Sequence, residues 1–498
     1  MSSVTRIPPA YISFIMFFML LVLGFSDAPI LYDSDTAWHL AAGDLIRSTH
    51  AVPKTDNWSY TASGETWYNL SWLFDVILSF MFTLGGFSAL YTMTVIVFSA
   101  SLTLMAWHCI KRGASIISIC ILLLPSMIIV FTGTLARPNM CSVLLTVIFY
   151  IVLHGFRSDG RFRRLLILIP LMCLWVNLHG GFLMAFPLLG LFAIEAWLAG
   201  DWKRVKAYTA IVALCMLATL LNPYGFSVYY GAYRTLSAPF SDKLLEWQPA
   251  EIGKNIPVTI MLLIIVCIGN FFDKRIPFAD RAFTVFMLVM SLASLRHTVL
   301  TSLIMLPSIS LRLTTLLYES RFADRIRSRD AIIMSDMQER GMRITALILA
   351  LVAAVNIYTP AVPRGTSLRQ VVEFRPDFYP AQEAEYVAKH YPGKHFFNSY
   401  NLGGYLDYIW HGKEKVFIDG RANSLYSDDL LADYTLFAET FGFGGRAEMI
   451  ARKYSFDGLI IDNLDNVYFM WAWNPQWKAV YTGHAATVYI RTDLAKPK

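Results

Sequence analysis

Long apolar runs separated by short polar breaks fill the chain up to residue 359. Runs long enough, or nearly so, to cross about 30 Å of hydrocarbon as helices fall near 10–31, 87–110, 114–134, 139–156, 165–177, 181–199, 206–222, 257–272, 278–295, 298–317 and 343–359. The pattern predicts eleven membrane spans. After residue 359 the apolar runs shorten to strand length, as in "HFFN", "KVFID", "GLIID", "WKAVY" and "ATVYI", and alternate with helical stretches near 380–391, 402–410, 425–440 and 444–454. That is the pattern of a soluble α/β domain.

The first run follows Arg6, is longer than the core of a signal peptide and shows no clear small-x-small cleavage pattern, so it is read as a retained span. "WYNLSWLFDVILSFMFTLGG" (67–86) looks like a further span, but counting it inverts every later loop. It is read instead as an amphipathic helix at the outer interface, its "LGG" turning into the next span. Residues 36–49 form a second interfacial helix in the same outer loop.

Charge supports this threading. With the N-terminus cytoplasmic, 20 basic residues fall in inner segments, against 7 in outer ones (Arg47, Lys54, Arg137, Arg234, Lys243, Lys254 and Arg296), the asymmetry that orients polytopic chains. Composition agrees: 56% hydrophobic and 16% charged is far below the roughly one quarter charged of soluble domains. The net charge of +6 lies mostly in short loops that set topology, which excludes a nucleic-acid partner as the reason for it. The six cysteines lie in or at the ends of apolar segments without a CxxC pair, so neither a disulfide framework nor a zinc site is encoded. The expected architecture is a polytopic α-helical membrane domain (1–359) carrying the outer loop 32–86, followed by an extracytoplasmic α/β domain (360–498).

Sorted by side, the unusual polar residues gather outside. Asp33, Asp35 and His39 follow the first span; "LARPNM" holds Arg137; "LWVNLHGGF" holds Asn177 and His179; "LNPYG" and "LLEWQPAE" follow, the latter with Glu246; and "SLRHTVL" holds Arg296 and His297. Each has a structural alternative. Asp35 caps a helix starting at Thr36, the arginines snorkel to headgroups, Asn177 and His179 close a turn with Gly180 and Gly181, and Asn222-Pro223 ends a helix. Taken together they favour function, because ionisable groups among membrane helices are costly and mark cavities.

The chemistry follows from the contents. Asp35, with Asp33 and His39, offers a general base, while Arg137, His179, Arg296 and His297 offer stabilisation of a phosphate leaving group. Asn177, Glu246 and Trp72 are candidate substrate contacts. The set suits transfer of a group from a membrane-anchored phosphate. A P-loop, a GxSxG turn and an HExxH helix are all missing from the sequence, which disfavours nucleotide hydrolysis, serine hydrolysis and zinc proteolysis. No cofactor is called for, although Asp33-x-Asp35 leaves a divalent cation open as a weak signal. In the tail, Gly403-Gly404 offers either an anion cradle or a plain strand-to-helix connection, and Asp419 with Arg421 either an acceptor contact or an internal ion pair.

At these residues the chain resembles the GT-C superfamily of polytopic glycosyltransferases. The resemblance rests on the first span followed by "YDSDTAWHLAAGDLIRSTHAVPKTDNWSYT" and "WYNLSWLFDVILSFMFTLGGFSAL". It implies a sugar donor linked to polyprenyl phosphate, an acceptor that is a glycan, lipid or protein, and an essential acidic residue in the first outer loop, here Asp35 with Asp33 as substitute. "ARPNM", "WVNLHGGF", "NPYG", "EWQP", "RH" and "YNLGGYLDYIW…VFIDGRANSLY" resemble a less characterised bacterial branch of such proteins. The WWDYG-type motif of oligosaccharyltransferases is missing, which disfavours N-linked transfer. The rival readings are a non-catalytic protein that binds or helps export a lipid-linked glycan, and a secondary transporter, which the lack of half-to-half similarity disfavours.

Overall fold

The computed structural model describes residues 33–132, 135–237, 247–249, 276–333, 378–463 and 468–493. The expected spans at 10–31, 257–272 and 343–359 lie outside them. The membrane part is helical: α1 (Ser34–Thr49), α2 (Trp72–Lys111), α3 (Ile116–Thr132), α4 (Asn139–Asp159), α5 (Leu168–Leu178), α6 (Ala185–Leu198), α7 (Trp202–Thr219), α8 (Ser227–Ser237), α9 (Phe278–Ala293) and α10 (Thr298–Glu319). Four stretches among the described residues are long and apolar enough to cross a membrane: Ala89–Lys111, Asn139–Asp159, Gly180–Leu198 and Leu295–Glu319. The expected turn in "LGG" is present. α2 breaks at Gly85–Gly86, where Gly86 takes φ 58°, a conformation a side chain would resist.

The chain divides into two compact units. One contains residues 91–222, 247–249 and 276–333; the other contains 33–90, 223–237 and the described tail. The stretch 33–90 thus packs with the tail as one body.

In the first unit α3 packs on α10 and α6 on α7. Thr314 Oγ1 accepts from Ser115 N at 2.8 Å and donates to Ser118 Oγ at 3.0 Å, tying α10 to the start of α3. α7 begins on Asp201, whose side chain accepts from Arg204 N, and α4 ends on Gly160 in the left-handed region. Sequence reading gives Arg112 and Arg157 only a topological part, yet both converge on the buried Asp280. Arg157 Nη2 lies 3.1 Å and Arg112 Nη1 3.3 Å from Asp280 Oδ2, Tyr150 donates to Oδ1 at 3.0 Å, and Arg157 also pairs with Glu195 at 3.2 Å. In this knot between α2, α4, α6 and α9 two guanidinium groups face two carboxylates, and the His154 imidazole joins them with Nε2 2.7 Å from Asp280 Oδ1.

The tail holds α11 (Ala381–His390), β1 (Phe396–Asn398), α12 (Tyr400–Trp410), α13 (Ala422–Leu425), α14 (Asp428–Glu439), α15 (Gly445–Lys453), β2 (Gly458–Asp462), β3 (Trp477–Thr482) and β4 (Ala486–Arg491). The sheet order is β1-β2-β4-β3, with β1 parallel to β2 and the other pairs antiparallel. One face packs Val387, Leu402, Leu406 and Trp410 on Ile460, Val488 and Ile490. On the other side Phe397 meets Phe417, Phe437, Phe456 and Trp471.

"KVFID", expected as a strand, joins no ladder. Val416 forms an isolated parallel bridge with Ser59, donating to Trp58 O at 3.0 Å and accepting from Tyr60 N at 3.1 Å. On the other side the buried Asn398 side chain substitutes for a strand neighbour, accepting from Phe417 N at 2.8 Å and donating to Ile418 O at 2.8 Å.

Removing one partner from a buried charge cluster leaves the others unmatched. Asp280→Asn is therefore expected to destabilise the protein by about 3 kcal/mol or more, read as a lowered thermal midpoint in detergent. An unchanged midpoint would mean that water already compensates the two arginines.

Candidate functional site

The start of α1 separates the two aspartates that sequence reading grouped. The helix begins at Ser34, not Thr36, and its N-cap is Asp33, which accepts from Asp35 N at 3.1 Å and from Thr36 Oγ1 at 2.9 Å. The capping assigned to Asp35 as its structural alternative thus belongs to Asp33. Asp35 stands in the first turn, half-buried, and its Oδ1 accepts from Trp38 Nε1 at 3.3 Å. Asp33 is 2% exposed and Asp35 is not closed off. A divalent cation would have to take Asp35 without help from Asp33, whose two oxygens both serve the cap. Among the described residues no group of three or more His, Cys, Asp or Glu is placed to hold a metal.

One turn on, His39 is buried and stacked on Trp38 with ring centroids 3.6 Å apart. Its Nδ1 lies 2.6 Å from Asp75 Oδ1, and Asn69 Nδ2 donates to Asp75 Oδ2 at 2.7 Å. Gly43 makes this pairing reachable. A Cβ there would run into the Asp75 carbonyl, so α1 and the first turn of α2 approach backbone to backbone. Asn69 is itself fixed, its N donating to Tyr224 of "NPYG" at 2.9 Å. Trp72, the first residue of α2, is half-buried. Asp75 went unnoticed in the sequence, although it is the sole charged residue in the apolar stretch 67–86, and that isolation was the available signal.

The tail supplies the floor under Asp35. Gly420 sits where a Cβ would collide with Asp35 Oδ1 and the Trp38 indole, and Gly404 where it would meet the Ser34 carbonyl. Gly403 and Gly404 lie inside α12, not in a turn before it, and their small size lets that helix touch the Asp419 backbone on one side and α1 on the other. The anion-cradle reading therefore gives way to close packing.

Arg421, beside Gly420, is 2% exposed. Its Nη2 donates to Asp419 Oδ2 at 2.6 Å, its Nη1 lies 2.8 Å from Asp56 Oδ1 as an ion pair off the hydrogen-bond angle, and its guanidinium sits 4.7 Å from the ring centres of both Trp58 and Trp67. Of the two sequence alternatives for Asp419 and Arg421, the geometry is that of an internal ion pair. Burial alone would raise the Asp419 carboxyl; the Arg421 charge and its hydrogen bonds, with a 2.6 Å bond from Tyr426, hold it below the usual range. Asp407, on α12, is 2% exposed, and neither of its oxygens has a well-formed hydrogen bond. Burial first, and then the Asp419 charge, push its carboxyl well above the usual range.

The other candidates belong to the first unit. Arg137 is half-buried in the turn before α4, its carbonyl accepting from Met140 N at 3.2 Å. Asn177 Nδ2 donates to Cys173 O at 2.7 Å and Leu221 O at 2.9 Å. His179 Nδ1 lies 2.7 Å from Ser142 Oγ and accepts from Gly181 N at 3.1 Å, an arrangement that assigns its proton to Nε2. The pieces "EWQP" and "RH" meet: the Arg296 guanidinium lies 4.0 Å from the Trp247 ring centre, and Leu295 N donates to Gln248 O at 3.3 Å. His297 is half-buried at the head of α10. Glu246 lies outside the described residues.

No protein-family model and no curated protein matches the sequence. Solved structures do match. The oligosaccharyltransferase AglB from Archaeoglobus fulgidus, in complex with an inhibitory peptide and a dolichol-phosphate, is 11% identical over 98% of this chain and 74% of that one, with a TM-score of 0.58. The same organism's enzyme tethered to an acceptor peptide containing the NVT sequon is 12% identical over the same shares, with a TM-score of 0.55. ArnT from Cupriavidus metallidurans in the apo state is 11% identical over 97% of this chain and 98% of that one, with a TM-score of 0.50. At such identities the likeness is one of fold, shared with these oligosaccharyltransferase and ArnT structures.

Asp407 and Asp419 titrate in opposite senses, in separate windows. A carboxyl raised in the folded state loses its proton first from the unfolded chain, so Asp407 makes stability fall as pH rises above 3.8 towards its folded value. Asp419, being lowered, contributes stability that is lost as pH falls below that point. Asp407→Asn is expected to flatten the decline on the alkaline side of thermal midpoint against pH and to leave the acid-side loss in place. An unaltered alkaline limb would show that Asp407 is ionised in the folded protein.

Proposed function

We propose that this chain is a membrane glycosyltransferase that moves a sugar from a polyprenyl-phosphate-linked donor to an acceptor on the non-cytoplasmic side, with Asp35 as the base. The observation that carries the reading is the contrast among three nearby carboxylates. Asp33 and Asp75 are buried and matched by fixed donors, whereas Asp35 is half-exposed. A general base has to reach a proton on its substrate, and of the three only Asp35 has the exposure to do so. The dolichol-phosphate bound by the archaeal neighbour supports a lipid phosphate as the donor's carrier, and the acceptor peptide of the tethered complex supports an acceptor entering the same fold.

In the proposed step an acceptor hydroxyl or amine attacks the anomeric carbon of the sugar. The bond from that carbon to the acceptor heteroatom forms, and the bond to the phosphate oxygen breaks with both electrons leaving on oxygen. The acceptor proton passes to Asp35, and polyprenyl phosphate departs with one more negative charge than it carried in the donor. Arg137, His179, Arg296 and His297 are the proposed partners of that growing charge. The His39–Asp75 pair is proposed to fix the Trp38 indole against Asp35. Asn177, Glu246 and Trp72 are proposed to contact sugar or acceptor. The sugar and acceptor are to be found by supplying purified protein with a panel of polyprenyl-phosphate sugars and envelope extracts and following release of polyprenyl phosphate.

Asp35→Asn keeps side-chain size and removes basicity. Turnover is expected to fall on the order of a hundredfold or more with the thermal midpoint little changed. Asp33→Ala is expected instead to lower stability by about 1 kcal/mol, the cost of a lost helix cap. Full turnover in the Asn variant would end the assignment of Asp35.

The proposal also places eleven spans, with the N-terminus cytoplasmic and the outer loop and tail on the other side. In a background lacking all six cysteines, cysteines at the exposed Ser63 and Asp429 are expected to react with an impermeant thiol reagent applied outside intact cells. One at the exposed Arg163 is expected to react only after lysis. The reverse pattern would invert the topology.

A further inference from the structure

We infer that the turn Asp419-Gly420-Arg421 of the tail is a positioning device for Asp35, setting where its carboxylate stands through direct backbone contact and through the Trp38 indole. The inference rests on the proposed role of Asp35 as base, and goes beyond it by assigning the tail a part in the transfer step.

Three observations meet at this turn. Gly420 is in contact with both groups at once, since a single added carbon would strike Asp35 Oδ1 and the Trp38 ring. The turn that presents Gly420 is immobilised from within, because Asp419 Oδ1 accepts from Arg421 N at 2.8 Å and from Arg421 Nε at 2.9 Å. It is immobilised from outside by Asp56, which itself accepts from Trp58 N at 3.1 Å and Ser59 N at 3.0 Å in the outer loop. Trp67, stacked on Arg421, meets Trp38 edge-on with ring centroids 6.3 Å apart. The indole that donates to Asp35 is therefore bounded by His39 on one face, by Trp67 at an edge and by Gly420 at its Nε1 end.

A carboxylate on the first turn of a helix has rotamers that point it several ways, and a base displaced by about 1 Å loses on the order of a hundredfold in rate. Within α1 the Trp38 donor marks one side of the carboxylate. The Gly420 backbone blocks the other, so part of the selection comes from a segment some 385 positions later in the chain.

The test uses the full-length protein and the donor that scores in the release assay above. Gly420→Ala pushes a methyl group at Asp35 and Trp38, and Trp38→Phe removes the donor without adding bulk. Both are expected to lower kcat at least tenfold with KM unchanged, and neither to lower kcat further in an Asp35→Asn background. Should Gly420→Ala fail to fold, Trp38→Phe decides alone. Unchanged kcat in the folded variants, or an equal loss with and without the Asp35 carboxylate, overturns the positioning role while leaving Asp35 as base. Full activity of Asp35→Asn, or the failure of every donor, overturns the underlying reading instead.

Discussion

A guanidinium group taken out of water has to be matched, and Arg421 is matched by a neighbour in its own turn and by groups from a distant part of the chain. Asp419 lies in its own turn, Asp56 in the outer loop, and the two indoles that cover it belong to that same loop. Breaking such a pair from one side strands a charge in an apolar setting, at a cost of about 3 to 5 kcal/mol. The loop and the turn therefore hold their conformations only together. Trp67, fixed by Arg421, bounds Trp38, and Trp38 in turn meets both Asp35 and His39.

Asp280 obeys the same rule with the signs exchanged. There one carboxylate gathers two arginines, a tyrosine and a histidine, and Glu195 takes a second contact from Arg157. Both knots join elements that apolar packing alone would leave free to slide, since aliphatic surfaces fit in many registers and a charge pair fits in few. Each unit has one.

How far the residues disclosed this arrangement depends on how local its causes are. The break in α2 was legible because Gly85 and Gly86 stand together after a long apolar run, and Gly86 there takes the positive φ that glycine tolerates. The helices and three of the five expected strands of the tail were legible from period alone, and "HFFN" appears a residue shorter as β1. "KVFID" was not, because its partners are a side chain, Asn398, and a loop more than 350 positions earlier. The start of α1 was legible only to within two residues. Asp33 and Asp35 both suit a cap, and Thr36 decides between them by donating its hydroxyl to Asp33. Gly403-Gly404 misled because a pair of glycines ordinarily marks a turn, and here the cause is the nearness of two other backbones. The GT-C resemblance rested on a short acidic loop motif, and the fold agrees with it.

Thr61 donates to the Phe417 carbonyl across 356 positions of sequence, and the bond has a bearing on how the protein is made. At roughly 5 to 20 residues per second, the ribosome needs on the order of 20 to 70 s to travel from one end of that bond to the other. Throughout that interval the stretch 56–67 is already made and holds Asp56, Trp58 and Trp67 with the residue that will cover them not yet synthesised. The nascent loop thus presents apolar rings and an unmatched carboxylate to whatever chaperones or lipids are at hand. The surroundings of Asp35 are accordingly completed late, by the last quarter of the polypeptide, and a ribosome that stops early leaves Asp35 and Trp38 without the Gly420 turn that packs on them.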